Sequence, residues 1–155
     1  MSENTRWPGP GLRNVGSYQI SGHPFITGSS NLDDDKVHGV FFPFVCKSFT
    51  VINTNSNSGE DIRVHFGSGS NEVTVPGDAG AQTIANDDDV ISNFHYITIP
   101  PNYGSGSSVT MNTRCTNIYI SNGSGTSNLS YQVFAELTLI DRNSMYQLTG
   151  SGITE

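Results

Sequence analysis

The sequence predicts an all-β protein, an antiparallel β-sandwich or jelly roll of about eight strands with extended N- and C-terminal arms. Three observations predict it. Residues 128–141 alternate, with Leu129, Tyr131, Val133, Ala135, Leu137 and Leu139 apolar at every second position, which is the period of a strand. Shorter runs of similar texture recur along the chain, separated by clusters of Gly, Ser, Asn and Pro. Helical periodicity is almost absent. Many short strands with frequent turns indicate a sandwich or jelly roll, with a small barrel as the alternative.

In chain order, residues 1–16 hold Pro8 and Pro10 among several glycines and show neither strand nor helix period, so they read as an arm. Trp7, Leu12 and Val15 are its apolar anchors. Trp7 either folds back onto its own domain or lies with the arm on a neighbouring subunit. Residues 17–140 form the body. Residues 17–20 and 25–27 are short strand candidates, followed by a polar loop over 28–36. Residues 37–53 are the densest apolar region, in which Pro43 predicts two strands or a bulge, because proline cannot donate to a ladder. Residues 53–60 turn. Residues 61–66 alternate, placing Ile62, Val64 and Phe66 inward and Asp61, Arg63 and His65 outward. Residues 72–75 return as the second strand of a hairpin.

Residues 77–84 are read as a short turn of helix, 86–89 as an acidic loop leading into 90–91, and 95–99, 109–111 and 114–121 as strands. In the last strand, 128–141, twelve residues at ~3.3 Å each span ~40 Å, which suits the centre of a sheet. Residues 141–155 scatter Met145, Tyr146, Leu148 and Ile153 among small polar residues and read as a second arm.

The 155 residues suit one domain with a core of its own. Charged residues are only 14%, against ~25% in an average globular protein. The net charge of −7 comes with no Lys/Arg cluster, so neither nucleic acid nor an anionic membrane surface is an expected partner. No apolar run approaches the ~20 residues that span a bilayer, and residues 1–12 are too polar for a signal peptide. Cys46 and Cys115 accordingly read as reduced, buried, small apolar residues, with a disulfide as the alternative. The two glycosylation sequons, at Asn122 and Asn128, read as chance matches.

Chemistry-bearing motifs are few. Four Gly-Ser-Gly units begin at Gly67, Gly104, Gly123 and Gly150. None has the spacing of a nucleophile elbow or a dinucleotide loop, and turn formation explains them. His23, His38, His65 and His95 show no metal-ligand spacing. The Asp33–Asp35 and Asp87–Asp89 triplets are the best Ca²⁺ candidates, but neither follows the calcium-loop pattern, so solvated acidic loops are expected. No cofactor, metal or catalytic residue is assigned, and a non-enzymatic role is the expectation.

Six segments taken in order carry a family likeness. They are residues 44–54, 61–66, 95–99, 109–121, 134–138 and 145–153. Their succession resembles the small β-sandwich virion proteins of tailed bacteriophages, most of all capsid decoration (cement) proteins. The resemblance covers residues 42–155. It implies a virion protein on the outside of a head shell, bound to the major capsid protein, often as a homotrimer, and holding neighbouring capsomers together. Partner contacts are then expected from Trp7, Leu12, Val15, Met145, Tyr146 and Leu148. A tail, neck or baseplate component of the same build is one alternative. A carbohydrate- or receptor-binding module, with Tyr103 as its loop aromatic, is the other.

Overall fold

A computed structural model of the chain describes residues 11–19, 22–34, 36–67, 80–86, 96–101, 107–146, 148–149 and 152–153. The fold is all-β, as the sequence predicts. Eight of the described strands form one antiparallel sheet: β1 (His23–Leu32), β2 (Lys36–Asn53), β3 (Ile62–His65), β4 (Gly80–Asn86), β5 (Ile97–Ile99), β6 (Ser107–Met111), β7 (Cys115–Asn122) and β8 (Leu129–Asp141). A separate two-residue hairpin joins β9 (Leu148–Thr149) to β10 (Gly152–Ile153). A four-residue helix, α1 (Gly16–Gln19), and a 3-10 turn at Arg142–Ser144 are the described helical elements.

β2 is the strand on which the rest is hung. Its first part, from Lys36 to Phe41, pairs with β4 on one side and β7 on the other. Its second part, from Phe44 to Asn53, pairs with β8 and β6. Between the two parts the register breaks, and Pro43 sits in the break, exposed, where its missing N–H leaves no ladder bond unmade. The bulge expected at Pro43 is therefore present. Cys46 lies just beyond it and alone among the paired β2 residues has partners in both β7 (Cys115) and β8 (Leu137).

One half-sheet thus runs β1-β8-β2-β6 and the other β4-β2-β7-β3-β5. Val40, Phe42, Ile62, Val64, Ile99, Ile118 and Ile120 from the second share one core cluster with Phe49, Val51, Tyr131, Val133 and Ala135 from the first. Direct contacts cross between them: the Phe25 and Phe42 rings meet edge-on at 5.5 Å, and Asn122 Nδ2 donates to Leu32 O at 3.3 Å. This arrangement is compatible with a β-sandwich.

Val37, Phe41 and Tyr119 occupy the other face of the second half-sheet and are buried as well. Burial on both faces explains why β2 reads as an unbroken apolar run here instead of alternating. It also corrects one expectation: His65, placed outward by alternation, is buried and stacked on Tyr119, with ring centroids 5.8 Å apart. Arg63 is half-buried and holds its guanidinium 4.7 Å above the Tyr96 ring.

Other expectations are corrected by local chemistry. Residues 17–19 are helical, because Asn14 Oδ1 accepts from Gly16 N at 3.0 Å and starts the turn. Residues 28–32 extend β1. Gly28 serves a close strand approach and not a loop, since a Cβ there would lie 2.6 Å from Tyr131 O. Residues 80–86 are strand, paired along the first part of β2, so tertiary pairing overrides a weak helical signal. In β8 the alternation holds up to Leu137 and then slips by one. Thr138 turns inward and donates its hydroxyl to Val45 O at 2.7 Å, which sends Leu139 out and Ile140 in. Residues 141–153 are not extended throughout: Asp141 Oδ1 caps the 3-10 turn at Asn143 N, 2.8 Å away, and the hairpin follows. Trp7, Asp35, residues 72–75, Asp87–Asp89, residues 90–91, His95 and Tyr103 lie outside the described residues.

Candidate contact surface

A cation helps to hold the N-terminal segment to the body. Arg114, in the link from β6 to β7, donates from Nη1 to Leu12 O at 2.8 Å and lays its guanidinium 4.5 Å above the Tyr18 ring. Tyr18 returns its hydroxyl to Leu12 O at 3.3 Å, and Ser17 Oγ accepts from Gly11 N at 3.2 Å. Leu12, Arg13, Val15, Tyr18 and Arg114 line an open cavity of about 400 Å³. Burial raises the Tyr18 phenol above its ordinary value, and the Arg114 charge opposes the rise.

The predicted anchors separate on inspection. Leu12 is half-buried in this cluster, while Val15 is 66% exposed. Met145 is half-buried and Tyr146 is 53% exposed. Leu148 packs against the chain's own core. The Tyr146 phenol adds a small electrostatic push on the Tyr18 phenol, in the same direction as burial.

Two exposed apolar residues that the sequence reading missed join them. Leu139 is 57% exposed because of the slip in β8, and Phe44, opposite Asp141 in register, is 38% exposed beside Pro43. Phe44 and Leu139 thus lie near the Asp141 end of β8, the helix that follows Val15 packs against β8, and Tyr146 follows the 3-10 turn that packs against β2. A second, smaller apolar spot is the register pair Ile26 and Phe134 on the outward face of β1 and β8. Glu136 lies beside it, accepting from Ser48 Oγ at 2.9 Å and pairing with Lys47 at 3.6 Å.

The titratable groups of the interior are structural in placement. His38 Nδ1 lies 2.9 Å from the Tyr131 hydroxyl, and burial lowers the His38 pKa. His65 Nδ1 donates to Gly67 O at 2.7 Å, and burial pulls its pKa down to about 4. Both Nε2 atoms are buried and have no hydrogen-bond partner among the described residues. Asp33 and Asp34 are exposed. Among the described residues, no three His, Cys, Asp or Glu side chains are grouped to hold a metal ion. Among them, too, no helix is long and apolar enough to cross a membrane. The Asn122 side chain is buried and donates to Leu32 O and Thr126 O, which removes it as a glycan acceptor in the folded chain.

Cys46 and Cys115 are both free and fully buried, with their sulfurs 3.2 Å apart. Comparisons with protein-family models, with curated proteins and with solved structures find no match.

Proposed function

We propose that this protein is a non-enzymatic structural part of a tailed-phage virion, a decoration protein on the outside of the head shell. In this reading it binds the major capsid protein and joins neighbouring capsomers through its arms and through homo-oligomer contacts. The observation that carries the proposal is the exposure of Val15, Phe44, Leu139 and Tyr146, large apolar side chains on the arms and on the strand ends next to them. Clustered exposed apolar side chains mark interaction sites more often than they mark nothing. Val15 and Tyr146 sit on the arms and Phe44 and Leu139 on the body, so a neighbour finds apolar contacts on both. An oligomer repeats that contact, so individually weak attachments add up to stable occupancy.

The test combines native mass with particle binding. A trimer that saturates undecorated heads is the expected result. A monomer that leaves heads bare overturns the proposal, and a hexameric ring that binds tails moves the protein to another part of the virion.

A further inference from the structure

We propose that Cys46 and Cys115 form a reversible intrachain disulfide that fastens β2 to β7 at the point where β2 passes from one half-sheet to the other. This rests on geometry alone and stands whether or not the protein belongs to a virion. The two residues are direct register partners on antiparallel strands. Such partners hold their Cα atoms roughly 4.5–5.5 Å apart. That separation lies within the ~4.4–6.8 Å range of natural disulfides, so no backbone movement is required. The side chains share a face and their sulfurs are already 3.2 Å apart. Cys46 Sγ also donates to Thr113 O at 3.3 Å, which fixes its rotamer beside Cys115.

The site also has a mechanical meaning. Cys46 is the residue with partners in both β7 and β8, and the ladder on its N-terminal side is interrupted at Pro43. A covalent bond here fastens β2 to β7 just beyond the break in their register. It also closes a loop between residues far apart in sequence, the case in which a cross-link restrains the unfolded chain most.

The reaction needs an oxidant, and a small-molecule disulfide such as oxidised glutathione supplies it. One protein thiolate attacks the glutathione disulfide, giving a mixed disulfide and releasing one glutathione thiolate. The second protein thiolate then attacks the protein sulfur of the mixed disulfide and releases the other. Two protein thiols lose two protons and two electrons, and one glutathione disulfide becomes two thiols. Both sulfurs are fully buried, so the first attack proceeds through a local opening.

The full chain, reduced and freed of reductant, is incubated with oxidised glutathione and analysed by intact mass and by thiol labelling in denaturant. The expected product is lighter by two hydrogens, carries no glutathione, has no titratable thiol and melts roughly 10 °C higher, with reversal by dithiothreitol. The Cys115→Ala chain, lacking the resolving thiol, is expected to stop at a glutathione adduct and show no rise in Tm. Two thiols that persist under prolonged oxidation of the wild-type chain overturn the proposal, as does a bond formed only between chains. A disulfide that lowers the melting temperature overturns the fastening role.

Discussion

His38 and Tyr131 meet across the interior, Nδ1 to hydroxyl at 2.9 Å, although 93 residues separate them and their strands do not pair at that level. His38 belongs to the part of β2 that pairs with β7, and Tyr131 to β8, so this bond joins the two half-sheets through the core. Replacing Tyr131 by Phe leaves both His38 nitrogens buried without partners. A buried polar group stripped of its partner costs about 1–3 kcal/mol. Urea unfolding of the Tyr131→Phe chain should show a lower midpoint with an unchanged slope, and an unchanged midpoint would refute the link.

Acid should weaken the fold below about pH 6.5 through its buried histidines. His65 has its folded pKa lowered to about 4, and His38 is lowered too, so both stay neutral in the fold while the unfolded chain gains protons below about 6.5. Their contribution is therefore complete above pH ~6.5 and declines as pH falls toward about 4. For His65 the loss is about 3 kcal/mol, as an order of magnitude. Chemical denaturation at several pH values across that window reads it directly. The His65→Gln chain should show a shallower dependence on pH.

Asn53 carries the turn that follows β2. It is fully buried, donates from Nδ2 to both Glu60 O and Ile99 O at 2.9 Å, and accepts from Asn55 Nδ2 at 2.7 Å. Asn55 in turn bonds the Ser130 backbone at the start of β8. Asn53→Ala strands these groups together and should cost about 2–4 kcal/mol, a Tm loss on the order of 10 °C in differential scanning.

The segment containing Leu12, Val15 and Tyr18 depends on Arg114 for its attachment. In the Arg114→Ala chain the hydrogen bond to Leu12 O and the contact with the Tyr18 ring both vanish. Trypsin should then cut after Arg13 several-fold faster, while the melting temperature of the body moves little. Equal cleavage of both chains would show that the segment is held by something else.

Under the proposed decoration role, Leu139→Ser with Tyr146→Ser removes two of these four exposed apolar side chains without touching the core. Stability should stay within about 0.5 kcal/mol, as for other exposed sites. Particle occupancy should fall several-fold. Unchanged occupancy would argue that the shell contacts another face.

Much of the fold was readable from periodicity. The burial of Leu129 through Leu137 follows the alternation, and the break at Pro43 follows from its missing donor. What escaped reading depended on contacts distant in sequence. The slip at Thr138 is held by a carbonyl on β2, and nothing in the local pattern announces it. His65 faces outward by alternation yet is buried, because its sheet is covered on both sides. The contact surface was half legible: Val15 and Tyr146 stand out as apolar residues in polar arms. Phe44 and Leu139 look like core until their strands bend. The pairing of Arg114 with Tyr18 has no spacing signature at all.

β2 donates its opening residues to one half of the sheet and its closing residues to the other, so neither half is an independent folding unit. Its partners come from β4, β6, β7 and β8, all well downstream, and no half can be completed before most of the polypeptide exists. Chains dominated by such distant pairings reach the native state slowly, on the order of milliseconds to seconds. Splitting the gene product within β2 should accordingly yield two insoluble fragments instead of two small domains.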